Sequence, residues 1–221
     1  MTFSDGVAFM FEKTKKEFTV TETNITFESI YHKSYFPVDI PEVKEATVLL
    51  IPNEHLNSNI GLTFPENTND FLVFLQDRAD KVFKPDIAVA DKDFKKYIMH
   101  SAVVQLATIV CTAIVLPIVI NLVSAYLYDL LKRDLKTDEE LSAEITLYIQ
   151  KGQGKSLKLH YKGPVSGLKD TLNSVAVSHF GETFELTKSG QVIEVSQRIT
   201  PDTDTVIPIS EVDINDGSSR N

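Results

Sequence analysis

A chain of 221 residues with 43% hydrophobic and 24% charged side chains has room for one large domain or two small ones, and its composition excludes wholesale disorder. A net charge of −9, spread as 16 acidic against 11 basic groups in residues 1–97 and 15 against 11 in residues 129–221, argues against gripping a nucleic-acid backbone. The single cysteine, Cys111, excludes an intramolecular disulfide and a thiolate zinc cluster, so a reducing compartment is expected.

The first residues, MTFSDGVAFMFEK, lack a basic region followed by an apolar stretch, so no cleaved signal peptide is expected. Residues 17–30 alternate through Phe18, Val20, Ile25 and Phe27 and predict one or two strands with a bend near Asn24. Ala46 to Ile51 is a short apolar run ended by Pro52, the pattern of a buried strand. His55 to Asn69 is rich in Asn, Gly and Pro and predicts a loop. Phe71, Leu72, Leu75, Ala79 and Val82 then follow helical spacing behind Thr68 as an N-cap. Asp86 to Ala90 predicts a second strand, and Asp91 the cap of a long helix. Strand, helix, strand, helix describes a small α/β layer with a parallel pair.

Ser101 to Tyr128 is an uncharged run of 28 residues, apolar around most of a helical circumference. About 20 such residues cross a bilayer core as a helix. Ser101, Gln105, Thr108 and Thr112 fall on one narrow helical face, and Asn121, Ser124 and Tyr128 on roughly the opposite one, with a kink expected at Pro117 between them. The leading reading is a membrane anchor, with Tyr126 and Tyr128 at the interface ahead of Lys132, Arg133 and Lys136. The alternative is a helix buried in a soluble core or an oligomer.

Beyond a polar linker, Ile145, Leu147 and Ile149 alternate with Thr146, Tyr148 and Gln150. After the turn Lys151–Lys155, Leu157, Leu159 and Tyr161 alternate with Lys158, His160 and Lys162, which makes a β-hairpin. Gly163-Pro164 is expected to break the strand, Ser166 to cap a helix through Leu168, Leu172 and Val175, and a second hairpin to turn at Ser189-Gly190. The chain thus reads as α+β: an N-terminal α/β domain (1–91), a long apolar helix kinked near Pro117 (92–135), a C-terminal ββαββ domain (136–199) and an acidic tail (200–221).

Chemistry-bearing patterns are few. Gly152-Gln153-Gly154-Lys155-Ser156 looks like the end of a phosphate-binding loop, but the position needing the first glycine is Ile149, inside a strand, so a turn is the better reading. The five histidines, His32, His55, His100, His160 and His179, show no metal-ligand spacing, and no catalytic residue, metal or cofactor is assigned. Lys151, Lys155, Lys158, His160, Lys162 and Lys169 occur with no acidic residue between 151 and 169. Strand alternation places Lys158, His160 and Lys162 on one side with cross-strand Tyr148. The candidate anion site is therefore Tyr148, Lys155, Lys158, His160 and Lys162, facing a phosphate-bearing ligand, a lipid headgroup or an acidic protein surface.

The residues Leu116-Pro117-Ile118-Val119-Ile120-Asn121-Leu122, then Tyr126-Leu127-Tyr128-Asp129, and a hairpin ending Tyr161-Lys162-Gly163-Pro164 with Gly167-Leu168 resemble small uncharacterised bacterial proteins that accompany phage-defence genes. The resemblance covers about half of the chain and includes no catalytic motif. It implies an accessory, sensor or effector protein working in a complex, and supplies no site residue.

The expected function is therefore a non-enzymatic accessory, sensor or effector protein. Residues 101–128 would hold it at the inner membrane with a cytoplasmic portion, or join it to a protein partner or a second copy in the cytoplasm, and the C-terminal module would recognise an anionic ligand or partner. The competing class is an enzyme whose site uses Asn53, Glu54 and His55 after a strand end. A purely structural subunit is the third reading.

Overall fold

The computed structural model describes residues 16–53, 62–98, 103–134, 141–152, 154–181, 183–186 and 192–195. The expected acidic tail, His100, and Glu54 with His55 lie outside these residues.

The chain is an α+β protein organised on one seven-stranded sheet. Three residues after β1 (Glu17–Thr23) comes Thr26, whose hydroxyl accepts from the Ser29 amide while the Ser29 hydroxyl accepts from the Thr26 amide. That reciprocal cap starts the short helix α1 (Phe27–Tyr31) where alternation alone had predicted more strand. β2 (Val48–Ile51) is buried at every position. A two-residue strand, β3 (Phe64–Pro65), precedes α2 (Thr68–Gln76), which leads to β4 (Pro85–Ile87), paired parallel to β2. Thr68 is the first helical residue rather than the cap, and its hydroxyl donates to the Pro65 carbonyl.

Asp91 opens a single 3-10 turn, not a long helix, and β5 (Lys96–Tyr97) then pairs parallel to β3. The long apolar helix over 92–135 is overturned. Its first half is extended: β6 (Val103–Gln105) and β7 (Thr108–Thr112) are rich in Val, Ile and Thr, whose branched Cβ atoms favour strands. Among the described residues of this stretch only Leu116–Asp134 forms an α-helix, α3, and Pro117 lies in its first turn, where the missing N–H needs no partner, so it starts the helix instead of kinking it. Leu116, Val119, Ile120, Val123, Tyr126 and Leu127 form its buried stripe. The hydroxyl and amide that suggested a polar seam bond locally, Ser124 to the Ile120 carbonyl and Asn121 to the Pro117 carbonyl.

The membrane reading is corrected with it: among the described residues no helix is long and apolar enough to cross a membrane. The segment is apolar because the protein's own core surrounds it, and among its described residues only Ile114 and Tyr128 are large apolar side chains left exposed. The inner-membrane placement loses its basis.

β8 (Ser142–Gly152) and β9 (Lys155–Pro164) form the predicted hairpin. β9 continues through Gly163 and Pro164, which pair with Ala143 and Ser142. A 3-10 turn, with Ser166 inside it, leads to α4 (Leu168–Phe180), which is capped by Gly167. β10 (Thr183–Leu186) and β11 (Val192–Val195) pair antiparallel as a separate two-stranded sheet. The main sheet runs β1-β9-β8-β7-β2-β4, with β6 beside the first residues of β8. It crosses the boundaries drawn near residues 91 and 135, joining the N-terminal parallel pair to the C-terminal hairpin.

Helices α2, α3 and α4 cover one face, packing on Val48, Leu50, Ile109, Cys111, Ile145, Leu147, Leu159 and Tyr161. On the opposite face α1 and the following 3-10 turn cover Leu49, Ile51, Val110 and Tyr148 but leave β1, β9 and the first part of β8 open.

Two outcomes follow. A Cβ on Gly163, whose φ is +158°, would meet the Lys16 Cα at 3.2 Å and the Tyr161 hydroxyl at 3.3 Å. Gly163→Ala should cost about 1–3 kcal/mol in urea denaturation, and an unchanged midpoint would refute the close approach. Cys111 is fully buried, and burial pushes its thiol from 9.0 up to about 12. Folded protein should resist iodoacetamide near neutral pH while the urea-unfolded chain reacts. The unfolded thiol ionises first, so the unfolded state holds fewer protons and stability falls as pH rises from about 9 to about 12. Cys111→Ala should flatten that part of the alkaline stability curve.

Candidate functional site

Strand alternation and register assemble the open face of β1, β9 and β8. Glu144, Thr146 and Tyr148 of β8 stand opposite Lys162, His160 and Lys158 of β9. These in turn stand opposite Glu17, Thr19 and Thr21 of β1. Tyr148, Lys158, His160 and Lys162 are therefore brought to one side of the sheet. They are not equivalent there.

Glu144 is the hub. The Gln105 amide donates to its Oε2 at 3.2 Å, Lys162 Nζ lies 3.6 Å from the same oxygen, and His160 Nε2 lies 3.9 Å from Oε1. The other ring nitrogen of His160 is hydrogen-bonded to the Thr146 hydroxyl at 3.1 Å. Outward, the Tyr97 hydroxyl donates to Gln105 Oε1 at 2.6 Å. Burial pushes the Tyr97 hydroxyl above its ordinary range, a hydrogen bond with Asn53 opposes this, and the Glu144 charge adds to it. Lys162 and His160 thus sit beside a carboxylate, and the face is not uniformly positive. Tyr148 is only 8% exposed and packs with Phe27, Ile30 and Val110, so it cannot serve as a free stacking surface.

The sequence reading missed Glu144 because it counted charges along the chain from residue 151. The signal was available: the hairpin count that sets Tyr148 opposite Lys158 also sets Glu144 opposite Lys162.

Lys158 and Lys155 differ from their neighbours. Neither side chain makes an ion pair or hydrogen bond among the described residues. Lys158 is half-buried between Thr21 and Tyr148. Lys155 stands at the hairpin tip, where Gly154 takes a left-handed φ of +83° and Lys155 pairs with Gly152. Beside the tip lies a cavity of about 290 Å³ lined by Glu22, Thr23, Asn24, Lys151, Lys155, Ser156, Leu157 and His179. Lys151 is tethered there, its ammonium donating to the His179 carbonyl at 2.9 Å and lying 5.5 Å from the Phe180 ring centroid.

The enzyme alternative fares differently. Asn53 bridges Thr63 just beyond β2 and hydrogen-bonds Tyr97, while Glu54 and His55 lie outside the described residues. Among the described residues no three His, Cys, Asp or Glu side chains gather as a metal-binding set.

No known protein family, curated protein or solved structure matches this chain.

Because the Glu144 side chain is about a quarter exposed and that of Lys162 more so, solvent weakens their pairing. A double-mutant cycle of Glu144→Ala with Lys162→Ala should give a coupling of about 0.5 kcal/mol, whereas one above about 2 kcal/mol would mean the pair is far less screened.

Proposed function

We propose that this chain is a non-enzymatic recognition protein that binds an anionic group at the tip of the β8–β9 hairpin and acts within a complex, in the bacterial phage-defence setting that its resemblance implies. The observation that carries the reading is the division among its cations. Lys162 and His160 are held near Glu144 and Lys151 is tethered to a backbone carbonyl, whereas Lys155 and Lys158 have no partner among the described residues. In a protein of net charge −9, two unpaired lysine side chains near the tip of one hairpin add local positive charge that an anion can approach, Lys158 on the open face and Lys155, three residues away, on the other side of the strand. Relative to the five-residue site expected from sequence, Lys155 and Lys158 are the contacts, Lys162 and His160 shape the adjoining face, and Tyr148 supports Lys158 from below.

The test is retention of the full chain on phosphocellulose at low salt. Wild-type protein should bind despite its overall charge and elute as salt rises. Lys155→Glu with Lys158→Glu should flow through while keeping the wild-type circular dichroism spectrum and melting temperature. Equal retention of the folded double variant would reject the site.

A further inference from the structure

We infer that the outer edge of β1 is a self-association site, where a second copy of this chain adds its own β1 antiparallel and continues the sheet. This goes beyond anion recognition and uses different residues. The two ends of the main sheet are not alike. β4, at one end, is three residues long, opens on Pro85, which has no amide hydrogen, and carries Asp86, features that keep an edge from pairing. β1, at the other end, is seven residues long, contains no proline or lysine, and runs in unbroken register with β9 from Glu17 to Thr23. Among the described residues no strand pairs with its outer side. Phe18 and Val20 pack on the core yet stay only half-buried, because the sheet stops beside them.

The strand's own sequence selects the occupant and the register. A two-fold axis perpendicular to the sheet keeps every residue on its own face, so each must stand opposite a residue of the same parity. With Thr19 on the axis, Thr19 meets the partner's Thr19, Phe18 meets the partner's Val20, Glu17 the partner's Thr21 and Lys16 the partner's Glu22, and the two-fold repeats each unlike pair. Lys16 and Glu22 are exposed, and neither side chain makes an ion pair or hydrogen bond among the described residues. Both stand on the face of Phe18 and Val20, with Lys16 beside Gly163 and Glu22 opposite Leu157.

One edge thus offers an unpaired cation at one end, an unpaired anion at the other, and an aromatic with a β-branched residue between them. The two-fold brings each onto its complement. An axis at Val20 instead sets Phe18 opposite the partner's Glu22, and an axis at Phe18 sets Lys16 opposite the partner's Val20, so the neighbouring registers mismatch charge with apolar surface. A seven-residue edge is small beside the roughly 20–30 residues a side of a standard interface, so the dimer is reversible and forms at micromolar concentrations and above.

Sedimentation velocity of the full chain from roughly 5 to 500 μM, at about 0.15 M salt, tests the inference. Wild-type protein should pass from monomer to dimer across that range. Glu22→Lys sets like charges opposite each other at both ends and should weaken the dimer at least tenfold. Adding Lys16→Glu to it restores the pairing and should return association to within about threefold of wild type. Thr19→Cys puts a thiol on the two-fold axis with the paired Cα atoms about 4.5–5.5 Å apart, so copper–phenanthroline oxidation should give a disulfide-linked dimer. Thr21→Cys, which faces the partner's Glu17 instead of itself, should give none, and buried Cys111 adds no cross-link to either. The inference is overturned by wild-type protein monomeric at about 500 μM, by Glu22→Lys dimerising as wild type does, or by a charge-reversed double variant as weak as Glu22→Lys. Thr21→Cys linking as readily as Thr19→Cys would overturn it too.

Discussion

The burial of β7 on both faces is the constraint on which the rest of the structure depends. Ile109 and Cys111 face the core under α2, α3 and α4, Val110 faces the cluster under α1, and all three are fully buried. The Ile109 and Val110 side chains each contribute about 1.5–3 kcal/mol when withdrawn from water. β7 also pairs antiparallel with β2 and parallel with β8, so it is the seam between the N-terminal parallel pair and the C-terminal hairpin. A strand in that position must be apolar throughout, and the helix that follows must cover one of its faces. These two demands together produce the uncharged run that resembles a membrane span.

That seam also fixes which surface is open. α1 reaches over β2, β7 and Tyr148 and is tied to β8 by the Phe27 amide donating to Gln150 Oε1 at 3.0 Å. Beyond that tie, β8, β9 and β1 present polar residues to solvent. Their register pairs Glu144 with Lys162 and leaves Lys158 beside Thr21 and Tyr148. The charge pattern of the face therefore follows from strand pairing and not from local composition. At the hairpin tip the sheet ends, α4 closes from one side, and the cavity lined by Lys151 and Lys155 forms where three elements meet.

A lysine tethered to the end of α4 beside a cavity at the hairpin tip is a feature of arrangement that a linear reading does not detect. Ser156 looks like an ordinary strand residue after a glycine turn, and the phosphate-loop pattern around it lacks the first glycine. The cavity is not such a loop: its lining comes from side chains on separate elements rather than from a helix N-terminus that the hairpin does not provide.

The alternation of residues 145–161 determined the β8–β9 hairpin and the side on which Lys158, His160 and Lys162 stand, because a period of two can be satisfied only by strands. The strand in Ala46–Ile51, the helix around Phe71–Leu75 and the strand at Asp86 were legible from local pattern, as was the parallel pairing of the two strands, but the helix stops at Gln76, short of the expected Ala79 and Val82, and the second strand stops at Ile87, short of Ala90. The nature of Ser101–Tyr128 was not, since a continuous apolar run has no period that separates a buried strand from a buried helix or a membrane span. Only tertiary packing decided it, by surrounding Val103–Thr112 with strands on the sheet and docking Leu116–Asp134 against one face. The neutralising position of Glu144 and the meeting of Lys151 and the end of α4 were likewise decided in three dimensions, because charge pairing and cavity formation depend on distances between segments that sequence spacing does not encode.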